Sequence, residues 1–517
     1  MDTFKNKYIT DDPGFGYVNS DTRMEDITDS DRLKCLIEQV KHSEAQVRII
    51  YGQGAMLKIF CPMLDIKCFM DITREPMLWK MWEGDLIPFG YKKPKKDYYW
   101  KEYYYCDFYL LHHQKKFAVC EMDYYIEGIE FDNIKLIPRF AYDEIITTLI
   151  KHPIKQVKVF QPGPWGAYRY RDLFDVPGLG CNAWNRLASP ELSVLIDVGG
   201  KEYIDIPLTS LMQYGKELCG DYLNEKYPDL FPLEIWLDDG YFPERQPAER
   251  TSMPIHNHPG TEYVKSHFNE PLGRYETYYI AEAYEGANTW MGYKNDADFE
   301  KWEEKCRTSQ NLTEIPDWKD YIANHDSNVG DLYLIPPGTV HGHGGNQMVL
   351  EMDTCPSIAG TEYSFFEYDF ARPTWEDKTQ SMTGKRMKMH LEHAFDNEKW
   401  IRESHVKEYH RATKYVTKWT KEYWRDEYST LPEMPFKVER MHFYNYAEDS
   451  TGDKYLKILT LTVGTRVIIR SKSTPARHTT INRFQSAILP ATFGDYEIIN
   501  DDGGYSTVVE FSWKYID

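Results

Sequence analysis

The run Met253-Pro-Ile-His-Asn-His-Pro259 places two imidazoles, His256 and His258, two residues apart. On a β-strand alternate side chains leave the same face, so both rings can reach one point. Imidazole nitrogens at about 2.0–2.1 Å suit a borderline divalent ion such as zinc. Two downstream stretches can complete such a centre. Arg274-Tyr-Glu-Thr-Tyr-Tyr-Ile280 is strand-like and carries Glu276, and Gly330 to His341 reads as a strand, a Pro-Pro-Gly turn and a histidine. Three imidazoles and a carboxylate make a mixed N/O set that leaves a coordination position open for substrate. Zinc is the first expectation, and manganese or iron accept the same ligands. Taken singly each piece has an ordinary explanation: a surface HxH pair, a solvated Glu276, a turn histidine at 341. Their order and common strand–turn texture predict one metal site.

The elements that must position these groups are mainly β. A chain of 517 residues exceeds the roughly 250–300 residues over which one core keeps growing, so two to four domains are expected. Residues 1–154 read as a β-rich N-terminal segment without assignable chemistry. A helix is expected near Asp29–Lys41, with Ser30 as its cap. Strands are expected at Val47–Tyr51, Met56–Phe60, Tyr103–Leu111 and Phe117–Cys120, where β-branched and aromatic residues dominate. Residues 155–375 form the metal-binding β domain, with helices expected over Pro207–Tyr227 and Asp296–Arg307. Residues 376–435, charged and free of turn clusters, predict a helical insertion or linker. Residues 436–517 return to short strands at Lys457–Val463, Arg466–Arg470, Ser486–Pro490, Tyr496–Ile499 and Ser506–Phe511. That spacing describes a small antiparallel barrel or sandwich. A strand–proline turn–strand unit recurs at Pro336 and Pro490, as two related barrels would produce.

Composition removes some functions. A net charge of −20 and a pI near 5.3 argue against nonspecific nucleic-acid binding, though a pocket can still be locally basic. Nine cysteines without a CxxC indicate neither a disulfide framework nor a thiolate zinc site. Neither a signal peptide nor a membrane span is visible. A cytoplasmic protein with a small-molecule partner and no membrane partner is expected; oligomeric state is not legible.

The constellation resembles the cupin superfamily and, within it, the type I phosphomannose isomerases. Gly330, Pro336, Gly338 and His341 match the second cupin motif, Gly-x5-Pro-x-Gly-x2-His. The family's ligand positions fall on His256 (Gln in the isomerases), His258, Glu276 and His341. The resemblance extends to Pro164-Trp-Gly166, Phe231-Pro-Leu233, Tyr263–His267, Arg386–Glu392 and Ile488–Ala491, so it spans roughly Lys155–Asp517. It implies cupin (jelly-roll) barrels and a metal-dependent aldose–ketose isomerase acting on a sugar or sugar phosphate. The metal would stabilise an enediolate as a Lewis acid. Arg274, on a family lysine position, would contact the anionic intermediate or phosphate, with His343 and His267 as general-base candidates. Tyr275 and Tyr278 could line the sugar but are more readily core residues. Two departures weaken the phosphate expectation: Trp236 and Phe366 stand where the family carries Lys and Arg. Lys265, Lys294 and Arg372 are substitutes to consider. Two other readings remain. One is an iron or manganese oxygenase with Glu262 as the carboxylate ligand; the other is a sugar-binding cupin without turnover.

Overall fold

The computed structural model describes residues 2–161, 163–241, 250–370, 373–376 and 381–514, with 373–376 and 381–385 as backbone. Arg372 therefore lies outside the described residues. Two compact units are present: one combines Met1–Thr147 with Leu195–Gln213 and Ser266–Glu270, and the other holds Thr148–Val194, Tyr214–Lys265 and Pro271–Asp517.

The first unit is more helical than its residue types imply. Ser30–His42 is a helix, as expected, but its cap is Asp29, whose Oδ1 accepts from Asp31 N at 3.0 Å and Arg32 N at 3.1 Å. The expected strands at Val47–Tyr51 and Met56–Phe60 are turns and irregular chain. The expected strands over Tyr103–Cys120 are instead a π-helical turn, Tyr103–Phe108, running into an α-helix, Tyr109–Glu121. Tyr104, Tyr105, Cys106, Tyr109 and Leu110 are all buried. A helix enclosed on several faces shows no 3.6-residue stripe, and its aromatic residues then mimic a strand. Strands do occur here, as Cys68–Asp71, Tyr124–Glu127 and Lys135–Pro138 in one sheet.

The second unit carries the predicted metal residues on two antiparallel sheets. In chain order their strands are β1 (Val159–Gln161), β2 (Trp184–Ala188), β3 (Leu233–Asp239), β4 (Ile255–Asn257), β5 (Glu276–Ala283), β6 (Asn288–Tyr293), β7 (Ile322–Asp326), β8 (Leu332–Ile335), β9 (His341–His343), β10 (Gln347–Thr354) and β11 (Phe365–Tyr368). One sheet runs β8-β5-β10-β3-β2-β1 and the other β7-β6-β9-β4-β11. Every residue of β3 and β10 is buried, their acidic side chains included. Tyr278, Ile280, Tyr333, Ile335 and Val349 of the first sheet pack with Met291 of the second, so the two sheets face one another. Each such fully buried side chain contributes about 1.5–3 kcal/mol. Helices α1 (Phe299–Ser309) and α2 (Leu391–Asn397) join a second cluster with Ile255, Tyr293 and Ile322 of the second sheet.

The expected helix at Pro207–Tyr227 is present in pieces: a 3₁₀ segment, Leu208–Tyr214, running into Gly215–Cys219, and then Asp221–Lys226. The break falls at Gly220, where φ is 94° and a Cβ would collide with the Lys454 carbonyl oxygen. The expected helical insertion at 376–435 is helical at Leu391–Asn397 and Glu403–His410. It then forms a hairpin, Lys414–Trp419 with Tyr423–Tyr428. Lys414–Trp419 is a fully exposed edge strand, and charges on such an edge are what keep it from pairing with another chain. The hairpin joins a six-stranded sheet with Phe436–Phe443, Ser506–Trp513, Lys457–Val463 and Ser486–Leu489, and the five expected C-terminal strands all occur, divided between this sheet and a second. A four-stranded sheet of Tyr446–Ser450, Asp495–Asn500, Arg466–Ser471 and His478–Asn482 shares its apolar core.

Candidate metal centre

β4 is three residues long, and His256 pairs across it with His341 on one side and Phe366 on the other. Glu276 opens β5 opposite Ile335 at the end of β8. The Pro336-Pro337-Gly338 turn then carries the chain from the first sheet to the second and delivers His341. Gly338 has φ 75°, and a Cβ there would collide with the Asn397 carbonyl oxygen. Both backbone conformation and space demand glycine.

His256, His258, Glu276 and His341 are all buried, and each offers a ligand atom within 4.8 Å of the others'. Every Nδ1 of the three rings is held by a backbone carbonyl: His256 by Pro254 at 2.7 Å, His258 by Tyr363 at 3.0 Å and His341 by Thr339 at 2.8 Å. A neutral imidazole whose Nδ1–H donates to a carbonyl presents an Nε2 lone pair at its other end. The Nε2 atoms of His258 and His341 both lie 2.7 Å from Glu276 Oε2. None of these Nε2 atoms, nor that Oε2, has a hydrogen-bond partner of acceptable geometry. Four acceptor atoms converge in a buried space, a donor set that fits a divalent ion.

Electrostatics agree. Burial first, then the neighbouring rings, holds His256 well below its ordinary value, and burial lowers His258 despite Glu276. Both stay neutral, as ligands must be. Burial would raise the Glu276 carboxyl, but His258 and His341 outweigh it and place it well below the usual carboxylate range.

Arg274 differs from its expected role. Its guanidinium is 2% exposed and lies 2.9 Å from Glu234, 2.8 Å from Asp353, 3.5 Å from Glu351 and 3.6 Å from Glu276. It is the counter-ion of a carboxylate cage behind Glu276 rather than a cation presented to an incoming phosphate. His343 is buried on β9, bonded through Nδ1 to the Gly344 carbonyl at 3.1 Å, with Nε2 3.9 Å from Asp238 Oδ2. His267 is exposed, with Nδ1 3.0 Å from Ser266 Oγ, and is not among the four clustered groups. Glu262, the oxygenase alternative's carboxylate, is also exposed and pairs with Lys265 at 3.1 Å; Glu276 takes its place because it starts a strand of the facing sheet. Lys294 follows β6, half-buried. Tyr278 packs in the core with its ring 5.5 Å from His341, and Tyr275 is half-buried. Where the resemblance led to expect cations, Phe366 lies 5.7 Å from the His256 ring, and Trp236 stacks under Arg186 at 3.8 Å.

The cage itself is what sequence reasoning missed. Glu276, Glu351 and Asp353 also come within 4.8 Å of one another. Burial pushes Asp238 up to about 8 and holds Glu351 and Asp353 well above the ordinary range. Its signal was acidic residues an even number of positions apart, and so on one face of each strand: Glu234 and Asp238 on β3, Glu351 and Asp353 on β10.

Residues 1–151 match a family described as a domain of unknown function, DUF8485. A mannose-6-phosphate isomerase of Streptococcus mutans is 25% identical over 237 residues, 45% of this chain and 63% of that protein. The probable mannose-6-phosphate isomerase GmuF of Bacillus subtilis is 25% identical over 236 residues, 44% of this chain and 65% of that protein. The chain thus spans just under two thirds of the length of these relatives. The crystal structure of a mannose 6-phosphate isomerase from Bacillus subtilis superposes with a TM-score of 0.51 at 20% identity, over 70% of this chain and 99% of that one. That match gives the fold, and together with the relatives it bears out the resemblance read from the motifs: outside its N-terminal segment, this chain is similar to the mannose-6-phosphate isomerases of the cupin superfamily.

Proposed function

We propose that the chain is a metal-dependent aldose–ketose isomerase acting on a sugar or sugar phosphate of the mannose type. One observation carries this reading: three imidazoles with their Nδ1 atoms engaged direct unpartnered Nε2 atoms, with Glu276 Oε2, at one buried point. His256, His258, Glu276 and His341 would hold the ion, with zinc favoured and manganese or iron compatible. A divalent ion there would polarise the sugar's carbonyl and hydroxyl oxygens. Arg274, 3.6 Å from Glu276, would act behind the centre as the cage's counter-ion. His343 Nε2 is the proton-holding atom we favour, because it sits two residues along β9 from His341 and faces Asp238. His267 is the weaker candidate. The relatives' names point to mannose 6-phosphate. The buried guanidinia of Arg186 and Arg274 are both paired with carboxylates, which leaves unphosphorylated sugars as equal contenders.

The architecture we favour is two jelly-roll barrels, the second beginning at Lys414 rather than Phe436, with residues 1–154 as an appended segment of separate role. None of the nine cysteines is in a disulfide, and among the described residues no helix is long and apolar enough to cross a membrane.

The test is metal analysis of the purified protein followed by isomerase assays on mannose 6-phosphate, mannose, fructose and lyxose. Sustained, chelator-sensitive conversion of any of them supports the reading. Metal binding without conversion leaves a sugar-binding cupin instead.

A further inference from the structure

β4 is weakly defined by its own ladder. It is three residues long, shares one residue pair with β9, and meets β11 across an irregular register between Phe366 and Tyr368. His258 lies one residue past its end. Something else must hold the second imidazole in place, and α2 and the residues after it supply the contacts. The Asn397 side-chain amide donates to the His258 carbonyl oxygen at 2.7 Å and to Asn257 Oδ1 at 2.9 Å. The same His258 carbonyl accepts Gly338 N at 2.8 Å, and Gly338 in turn accepts Lys399 N at 2.8 Å. The end of α2 thereby touches both ligand-bearing segments, the HxH strand and the turn leading to His341.

Asn257 completes the arrangement from the opposite face. Strand alternation turns its side chain away from the imidazoles, and it is fully buried. Its Nδ2 reaches Glu398 Oε2 at 2.8 Å, Glu367 Oε1 at 3.1 Å and the Ala394 carbonyl at 3.0 Å. Glu367 Oε2 is fixed in turn by the Tyr293 hydroxyl at 3.1 Å and Trp302 Nε1 at 3.2 Å, and Glu398 Oε1 by Trp400 N at 3.0 Å. Those partners come from β6, α1, α2 and β11, so the residue between the two histidines is tied to four separate elements.

We infer that Asn257 and Asn397, with Glu367 and Glu398 behind them, are positioning residues that set the spacing of His256, His258 and His341 for the metal. The inference rests on the metal-centre reading above. On it, the segment after residue 376 is part of the centre, although its charge pattern marks it as a linker. Outer partners that orient metal ligands typically change affinity about 10–100-fold when lost.

The test uses full-length protein stripped with chelator and titrated with Co²⁺, read by the visible d–d spectrum and by competition with a chelating dye. Asn257→Leu keeps the branched shape and removes every side-chain hydrogen bond; Asn397→Ala removes only the amide that holds the His258 carbonyl and Asn257 Oδ1. Each is expected to weaken Co²⁺ binding about 10–100-fold and to alter band positions, while far-UV circular dichroism of the metal-free protein is unchanged. Should Asn257→Leu not fold, Asn397→Ala decides. Unaltered affinity and spectrum in the folded variants would overturn the inference while leaving the metal centre standing. Wild-type protein that binds no Co²⁺ would remove the metal reading, and the inference with it.

Discussion

Replacing Arg274 with Met keeps most of the side chain's volume and removes one charge from a closed cage. In the folded protein Glu234 and Asp353 lie 2.9 and 2.8 Å from that guanidinium, with Glu351 at 3.5 Å and Glu276 at 3.6 Å, all buried. Removing one partner of a buried ion pair costs about 3–5 kcal/mol, because the remaining charge has neither water nor a counter-ion. At about 1–2 °C per kcal/mol for a unit of this size, the melting temperature should fall by roughly 3–10 °C at pH 7. The loss should shrink in acid. A carboxyl whose folded pKa is raised binds its proton more tightly folded than unfolded, so it favours folding below that pKa and loses the advantage as pH rises. Glu234, Glu351 and Asp353 are already raised by burial with Arg274 present, and Asp238 to about 8. Without the guanidinium they rise further, so the variant should recover stability as pH falls from 8 towards 5. Thermal melts of metal-free wild type and variant at pH 8, 7 and 5 measure this. A double variant with Asp353→Leu should recover part of the loss, since cage and cation are then both reduced. An Arg274→Met protein that melts within 2 °C of wild type throughout would refute the reasoning, because the cage would not depend on that charge.

Three further outcomes follow from the centre. Chelation should lower the melting temperature by about 3–5 °C, since an ion at a hundred times its Kd adds about 2.7 kcal/mol to the folded state; scanning calorimetry with and without added Zn²⁺ measures it. Glu276→Gln keeps the shape but removes the anion facing His258 and His341, so metal affinity should drop by more than the about 10–100-fold that an outer partner costs, as read by dye competition. Glu262→Ala should retain full metal content by elemental analysis, because Glu262 is exposed and paired with Lys265; loss of the metal would restore the alternative ligand set.

What the sequence disclosed, and what it hid, follows one physical division. His256, His258 and His341 are legible because a metal needs particular donor atoms, and strand alternation and a Pro-Pro-Gly turn place them at short, readable spacings. The C-terminal strands are legible for the same local reason, as at Lys457–Val463, where leucine and threonine alternate. Tyr103–Glu121 was not, because enclosure on several faces erases the helical stripe and leaves only residue type, which favours a strand. Arg274 shows the limit more sharply. Its chemistry, a cation beside a ligand, was visible, but its direction depends on Glu234 and Asp353, 40 and 79 residues away. Asn257 is further still from inference, since its partner Glu398 lies 141 residues along the chain. Nothing local separates an asparagine bonded on all sides from one facing water. The atoms that would touch the metal are thus written in short motifs, and the groups that fix their distances are written in contacts that exist only after the sheets have closed on each other. It follows that substitutions at motif positions should abolish the centre outright, whereas those at Arg274 and Asn257 should detune it by degrees.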